Sequence, residues 1–270
     1  MEKTIGFIGA GKMAASLISG FINSKKLLSS QIIISDRYDT RRLEVEETYR
    51  VKSTKDNVTC AREGDIIFLA VKPGDIKEVL AQTREQLIQK VVVSIAAGIS
   101  IEFIEGIIGK QAKIIRVMPN IAVTVGEGMS VIMKNNSADA TDVNFVKELL
   151  NSVGDTIEIR NEELFHVVTA LSGSGPAYIF MLLEALSDAG VRMGLSRDIS
   201  NKLAVQTVLG AGKMAKESSL SFSTLREAVT SPAGTTAEAL AVLEDRGVRS
   251  AIIEAIKSAT IRSIEIGKKL

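Results

Sequence analysis

A glycine-rich segment near the first residues constrains the fold more than any other feature of the sequence. GFIGAGKMAASLISGF, residues 6–21, directly follows a short apolar run and continues into a helical pattern, with Gly9, Gly11 and Ala14 in G-x-G-x-x-A spacing. Gly9 permits a tight turn, Gly11 lets a pyrophosphate approach the backbone, and Ala14 keeps the helix close to the sheet. Free N–H groups at the helix start attract phosphate. The segment predicts a dinucleotide-binding strand–turn–helix; a purely structural glycine-rich turn is the alternative.

Short β-branched runs alternate with helical stretches over the first 160 residues. Their continuous apolar character indicates strands that are buried on both faces. Helices between such strands give βαβ units, a parallel sheet and right-handed crossovers. The predicted strands cover residues 4–8, 31–35, a short segment near 51, 65–71, 90–95, 113–118, 128–133 and 155–159.

The strand signals stop near residue 160, and helices are predicted at 161–171, 175–194, 197–217, 222–230, 236–245 and 248–267. We therefore expect an α/β protein: a Rossmann-type, doubly wound, mostly parallel sheet at 1–160 and an all-helical domain at 161–270. The stretch FMLLEALSDAGVRMG, residues 180–194, is apolar around much of its circumference. Such a helix packs deeply or against another chain, which favours a homo-oligomer over the interior helix of a compact bundle.

Composition argues against several classes of partner. The chain has 33 basic and 32 acidic residues, no long basic run, 4% aromatic residues and no tryptophan, which disfavours a nucleic-acid partner. The single cysteine, Cys60, excludes an internal disulfide, fits a reducing compartment and is expected to be a small buried side chain. Neither a Cys/His cluster nor a paired-carboxylate motif indicates a metal site.

Two further features of the sequence predict a cytoplasmic protein without a membrane span. The first residues, MEKTIGFIGAG, lack the basic and apolar regions of a signal peptide. The most apolar window, residues 91–109, is interrupted by Gly98, Glu102 and Glu105, and is therefore unsuited to crossing a bilayer.

The end of the second predicted strand gives two conflicting signals about the nucleotide. Asp36 occupies the position at which a carboxylate accepts a hydrogen bond from the adenosine 2′-OH, which favours NAD. Arg37, Arg41 and Arg42 follow closely and suit a 2′-phosphate or stacking on adenine, although arginines there also fit a solvated helix start. The sequence does not decide between the two cofactors.

Small residues and prolines mark the remaining strand ends and two helix starts. AVKP at 70–73, SIAAG at 94–98 and VMPN at 117–120 fall where open α/β sheets bind ligands. LSGSGPAYIF at 171–180 and SPAGTT at 231–236 place hydroxyls and glycines before helices, as a small carboxylate requires. Thr235 and Glu238 have the spacing of a capping box, which would compete for the same N–H groups.

Seven segments in a fixed order resemble pyrroline-5-carboxylate reductases: GFIGAGKMA, FLAVKP, SIAAG, RVMPN, VTALSGSGPAYIF, DAGVRMGL and SPAGTTAEAL. The resemblance covers almost the whole chain and implies a Rossmann domain followed by a helical dimerisation domain, often assembled into larger rings. It implies reduction of the imine of 1-pyrroline-5-carboxylate to L-proline, the last step of proline biosynthesis. NADPH is the implied hydride donor, with NADH possible.

The same resemblance assigns residues by motif. It implies nucleotide contacts from Gly9, Ala10, Gly11, Lys12, Met13, Asp36, Arg37, Asn57, Ala70, Val71, Lys72, Pro73, Ala96, Ala97, Gly98 and Asn120. It implies substrate contacts from Ser174, Gly175, Ser231, Gly234, Thr235, Thr236 and Ala237, with the Thr236 hydroxyl bonded to the ring nitrogen as the catalytic contact. One departure is Ala233, where the family usually has glycine; the extra methyl group is expected to narrow the carboxylate pocket.

Two other functions fit parts of the sequence. A related imine or hydroxyacid reductase joins the same two domains, but the hydroxyacid enzymes use a lysine that is absent here until Lys202. A non-enzymic NAD(P)-sensing domain would need only the first motif. Reduction of a protonated imine needs mainly orientation, so His166, the single histidine, is expected to be structural or at the surface.

Overall fold

The computed structural model describes residues 3–268, and its first 160 residues are built on one sheet of eight strands. The strands run in the spatial order β3-β2-β1-β4-β5-β6-β7-β8. They are β1 Ile5–Ile8, β2 Ile32–Ser35, β3 Lys52–Thr54, β4 Ile66–Leu69, β5 Val91–Ser94, β6 Lys113–Met118, β7 Gly128–Lys134 and β8 Gly154–Glu158. Each of the predicted strands is confirmed to within a few residues.

Neighbouring strands are parallel except for β6 and β7, which pair antiparallel, with Met118 opposite Val131. The connection between them is short and holds only a 3₁₀ turn, Ile121–Val125. A parallel crossover needs a dozen or more residues, so this chain segment turns back on itself. The first six strands have the order of a dinucleotide-binding fold, which confirms the predicted mostly parallel, Rossmann-type sheet.

Helices occupy the connections and almost all of the chain beyond residue 160. They are α1 Lys12–Asn23, α2 Asp39–Tyr49, α3 Asn57–Glu63, α4 Ile76–Leu87, α5 Ile101–Ile108, α6 Ala140–Asn151, α7 Phe165–Val168, α8 Gly175–Arg192, α9 Arg197–Glu217, α10 Phe222–Ala228, α11 Thr235–Asp245 and α12 Val248–Lys268. The six helices predicted after residue 160 therefore have counterparts.

The central strands β1, β2, β4 and β5 are buried on both faces, as their apolar sequences predicted. Alternate residues of β1 and β4 point to opposite sides: Phe7 and Phe68 join one apolar cluster, and Ile8 and Leu69 join the other. The Phe7 and Phe68 rings stack with centroids 4.7 Å apart, and Phe21 of α1 packs beside them. This packing fixes α1 against the strand ends that carry the nucleotide motif.

The described chain forms two compact units, residues 3–174 with 259–268, and residues 175–258. The predicted division into domains at 1–160 and 161–270 stays a prediction. Two helices of the second unit, α9 and α10, begin after serine N-caps. Ser196 accepts a hydrogen bond from Ile199 N, and Ser221 accepts one from Thr224 N.

Candidate active site

A cavity of about 1320 Å³ opens at the carboxyl ends of β1, β2, β4 and β5. This is where ligands bind in open α/β sheets, and the volume exceeds that of ordinary small-molecule sites. Among the residues assigned to the nucleotide, Gly98 and Asn120 lie outside its lining. Those that line it are Gly9, Ala10, Gly11, Lys12, Met13, Asp36, Arg37, Asn57, Ala70, Val71, Lys72, Pro73, Ala96 and Ala97.

The glycine turn at the cavity floor has the geometry that its sequence predicted. Gly9 has φ of +105°, and a Cβ there would lie 2.6 Å from the carbonyl oxygen of Ala70. Gly11 is the N-cap of α1, with no side-chain cap, and a Cβ on it would have no neighbour within 4 Å. A free helix N-terminus beside open space suits a phosphate group. Ala14 is buried against the sheet.

The Asp36 carboxylate lies at the end of β2 and is only 9% exposed. Its Oδ2 accepts a hydrogen bond from Ala10 N at 2.8 Å, and its Oδ1 accepts one from Tyr38 N at 2.9 Å. Bonds of this kind to a charged acceptor are stronger than neutral ones. Asp36 therefore fastens the glycine turn to the end of β2, and both of its oxygens already have a donor.

Basic and aromatic side chains form the cavity wall next to Asp36. The guanidinium carbons of Arg37 and Arg41 lie 5.1 and 5.4 Å from the ring centroid of Tyr38. Arg37 also pairs with Asp75 at 3.3 Å, and this carboxylate raises the pKa of the guanidinium. Lys55 joins the same wall. Neither Tyr38 nor Lys55 was predicted from the sequence, in which Tyr38 between Arg37 and Arg41 was the available signal.

Asn57 and Asn120 are both held by neighbouring side chains. Asn57 lies in the cavity wall, where it accepts a hydrogen bond from the Ser35 hydroxyl and donates to Gln82. The Asn120 oxygen accepts from Ala122 N, and its Nδ2 donates to the Ser172 hydroxyl at 3.3 Å. Asn120 therefore connects the end of β6 to the serine–glycine motif that begins at residue 172.

The serine–glycine motif is helical rather than a turn. Residues Thr169–Gly173 form a π-helical turn between α7 and α8, closed by a hydrogen bond from Ser174 N to Thr169 O at 2.8 Å. A Cβ on Gly173 would lie 2.7 Å from the terminal methyl group of Met118, so this flexible side chain would have to shift. Single π turns recur at functional sites because they change the direction in which side chains point.

The predicted capping box at Thr235 and Glu238 is wrong. α11 begins at Thr235, so Gly234 is the N-cap, and among the described residues no side chain caps this helix. The reason lies in the preceding turn. Gly234 N donates to Ser231 O, and a Cβ on Gly234 would overlap the Ser231 hydroxyl. Ala233 reaches this turn with φ of +55°, the left-handed region that favours glycine.

Two titratable residues, Cys60 and His166, are not among those assigned to the cofactor or the substrate. Cys60 is buried in α3, as predicted, and burial raises the pKa of its thiol to about 12. The His166 ring lies with its Nδ1 3.0 Å from the Ser263 hydroxyl. Burial and the positive charge of Arg116 lower the pKa of His166. Its position supports the expected structural role.

Comparison with known proteins gives matches over the whole chain. A family model described as pyrroline-5-carboxylate reductase dimerisation matches residues 162–266, and one described as NADP oxidoreductase, coenzyme F420-dependent, matches residues 4–98. The pyrroline-5-carboxylate reductase of Methanosarcina acetivorans is 40% identical over 269 residues, covering 99% of both chains. That of Escherichia coli K12 is 36% identical over 269 residues, covering 99% of this chain and 100% of its own.

The Rossmann-type sheet, the glycine turn and the cavity define a nicotinamide-nucleotide-dependent oxidoreductase. A solved pyrroline-5-carboxylate reductase from Coxiella burnetii superposes with a TM-score of 0.90 at 36% identity over 97% of this chain and 98% of its own. One from Plasmodium falciparum with NADP bound gives 0.89 at 33% identity over 98% of each chain. The chain belongs to the pyrroline-5-carboxylate reductase family.

One described helical stretch, Glu162–Arg192, is long and apolar enough to cross a membrane by length and composition alone. An apolar helix that packs against other protein meets the same criterion. This stretch opens the region matched by the dimerisation model, and it carries exposed Phe180, Met181 and Leu182. The apolar surface therefore fits association between chains, as predicted for residues 180–194.

Proposed function

We propose that this protein reduces the imine of 1-pyrroline-5-carboxylate to L-proline with a hydride from NADPH, in the cytoplasm. The observation that carries the proposal is the relationship to pyrroline-5-carboxylate reductases over 99% of the chain. Because the aligned range includes both the glycine turn and the motifs of the second unit, it supports cofactor and substrate binding together.

The cavity fits a dinucleotide on physical grounds. The uncapped start of α1 offers N–H groups for the pyrophosphate from Gly11, Lys12 and Met13, whereas Ala10 N already donates to Asp36. Ala70 to Pro73, Ala96 and Ala97 line the cavity and are proposed to contact the nicotinamide side, together with Gly98 and Asn120. When bound, the reduced nicotinamide supplies the hydride.

The basic wall beside Asp36 supports NADPH as the preferred nucleotide. Each Asp36 oxygen accepts one backbone hydrogen bond, and we propose that the carboxylate acts mainly by holding the turn. Arg37, Arg41 and Lys55 line the space beyond it and offer positive charge to a 2′-phosphate. In this proposal Asp36 shapes the site for either nucleotide, and the basic side chains select between them.

The substrate assignment rests on the turn before α11. The N-terminus of α11 carries Gly234 where a side-chain cap would otherwise occupy its N–H groups, so these remain available to the substrate carboxylate. Ser231, Gly234, Thr235 and Ala237 are proposed to hold that carboxylate. Ser174 and Gly175 are proposed to border the ring.

Thr236 is proposed as the catalytic contact. Its hydroxyl would hydrogen-bond the ring nitrogen and fix the orientation of the imine carbon toward the incoming hydride. A protonated imine is already electrophilic, and the electron pair of the C=N bond moves to nitrogen to give the amine of proline. Orientation is therefore the main requirement, and no ionisable general acid is needed.

The first experiment follows the absorbance of reduced nicotinamide with purified protein and 1-pyrroline-5-carboxylate, with NADPH and NADH in separate assays. We expect oxidation of the cofactor in step with proline formation. Binding of NADPH without oxidation would overturn the substrate assignment and favour a related imine reductase or a nucleotide sensor. Thr236→Ala should lower kcat by about two orders of magnitude with little change in NADPH affinity; an equal loss of both would contradict the assigned role.

Nucleotide selection has its own paired test. Arg41→Met should lower kcat/KM for NADPH by about tenfold or more while leaving the value for NADH nearly unchanged. Asp36→Asn should lower both values by a similar factor, because the carboxylate acts through the glycine turn. A rise in NADPH preference for Asp36→Asn would show instead that Asp36 contacts the ribose directly.

The second unit is proposed to form a homodimer, with higher assemblies built from dimers. Sedimentation of the purified protein should give a mass of at least two chains. A monomer that reduces the substrate at full rate would contradict this part of the proposal.

A further inference from the structure

Arg116 is a buried cation close to the candidate active site but outside the cavity. It lies on β6, two residues before Met118, and is 5% exposed. A buried guanidinium is costly unless it is paired and hydrogen-bonded. Here Nη1 donates to Glu162 Oε1 at 2.7 Å, and the guanidinium carbon lies 4.3 Å from the ring centroid of Phe165.

Glu162 carries this interaction to a second chain segment. The same oxygen that accepts from Arg116 also accepts a hydrogen bond from Ile101 N at 2.7 Å. Ile101 is the first residue of α5, and the loop before it contains Ala96, Ala97 and Gly98. One carboxylate oxygen therefore joins β6, the start of α5 and the segment that leads into the π-helical turn.

A third connection involves the C-terminal part of α12. His166 follows Phe165 directly and contacts Ser263 through its Nδ1 at 3.0 Å. A Cβ on Gly267 would lie 3.4 Å from the carbonyl oxygen of Gly98 and 3.5 Å from the His166 ring. Gly267 thus packs on Gly98, and Glu162 accepts a hydrogen bond from Ile101 N, where the same loop runs into α5.

We propose that Arg116 is a positioning residue for the hydride transfer, acting through Glu162 on the loop 96–98 and on the segment 165–174. The inference rests on the proposed reaction. These two segments and the end of β6 carry the residues assigned to the nicotinamide side and to the border of the substrate ring. A cation that fixes three such segments sets the distance between reacting groups without touching them.

The matched control is a second ion pair on the same strand. Lys113 begins β6 and pairs with Asp142 at 2.7 Å, the same distance as in the Arg116–Glu162 pair, and also with Asp139 at 3.0 Å. Its side chain is 38% exposed, whereas that of Arg116 is 7% exposed. Lys113 and Asp142 hold α6 rather than a site loop. Lys113→Met therefore removes ion pairs from the same strand and should leave kcat unchanged, whatever it does to stability.

Steady-state kinetics below the melting temperature of every variant tests the proposal. Arg116→Met and Glu162→Gln should each lower kcat by about tenfold or more, with the KM for NADPH within about threefold of wild type. Arg116→Lys keeps the charge but not the planar fork, and should recover part of the loss. The double variant should lose less than the product of the single losses, because the two residues act as one unit.

The single histidine provides a spectroscopic test of the same cluster. NMR titration of the His166 ring should show a pKa below the usual value in the wild type, since burial and Arg116 both lower it. Arg116→Met should raise this pKa, whereas Glu162→Gln should lower it further, because Glu162 opposes the effect of Arg116. General destabilisation would not move it in opposite directions.

The kinetic measurements and the histidine titration can each overturn the proposal. A loss of kcat in Arg116→Met no larger than in Lys113→Met overturns the proposal, as does a His166 pKa that is the same in every variant. If Arg116→Met does not fold, Glu162→Gln and Arg116→Lys decide by the same criteria. If the wild-type protein fails to oxidise NADPH with the substrate, the proposed function falls first, and the histidine titration still tests the cluster.

Discussion

Ala233→Gly is expected to stabilise the protein, although glycine substitutions usually do the opposite. Ala233 has φ of +55°, and an L-residue with a Cβ costs about 1–2 kcal/mol in this left-handed region. Glycine removes that cost but adds about 0.4–1 kcal/mol of conformational entropy to the unfolded chain. The difference is a gain of about 0.5–1 kcal/mol. For a chain of this size, that corresponds to a rise of roughly 1–4 °C in melting temperature.

The assay is thermal unfolding at fixed protein concentration, because association makes the midpoint depend on concentration. Ala241→Gly is the matched control: it makes the same chemical change in the interior of α11, at an exposed position. There glycine should destabilise by about 1 kcal/mol. A lower midpoint for both variants would refute the reasoning, because it would mean that Ala233 is not strained in the folded protein.

Three further predictions follow from other parts of the fold. Gly9→Ala should weaken NADPH binding by about tenfold or more, because the positive φ and the neighbouring carbonyl exclude a Cβ. Gly106→Ala, in an open part of α5, should leave NADPH binding unchanged. Fluorescence titration with NADPH measures both affinities. Cys60, whose pKa burial raises to about 12, should react with a thiol reagent at neutral pH only after denaturant is added. Asp139 accepts a backbone N–H at the start of α6 and pairs with a lysine, which lowers its pKa from 3.8 to about 2. The contribution of the Asp139 carboxylate to the free energy of unfolding is therefore complete above pH 3.8 and declines as the pH falls toward about 2. The difference in urea midpoint between wild type and Asp139→Ala should narrow over that range.

The strands and the nucleotide motif could be predicted because their signals are local. Continuous runs such as Val91–Ser94 specify a strand that is buried on both faces, and the spacing from Gly9 to Ala14 specifies a strand–turn–helix. The seven motifs, in their fixed order along the chain, indicated the pyrroline-5-carboxylate reductase family. None of this required knowing which residues distant in sequence lie together.

Features that depend on long-range contacts were not predictable in this way. Asp36 was assigned to the ribose, and only the folded backbone shows that Ala10 N and Tyr38 N occupy its oxygens. The spacing of Thr235 and Glu238 suggested a capping box, but a turn before the helix placed Gly234 at the N-cap. The capping box was wrong because backbone geometry outside the motif set the N-cap. The ribose contact of Asp36 stays a prediction.

The packing of residues 259–268 with the first unit has a consequence for protein synthesis. These residues are translated after the whole of the second unit, yet Ser263 pairs with His166 and Gly267 packs on Gly98. On the ribosome, the loop at 96–98 therefore stays uncovered until residues 259–268 have been synthesised. We expect a nascent chain arrested before residue 259 to expose this loop to protease, and the released chain of 270 residues to protect it.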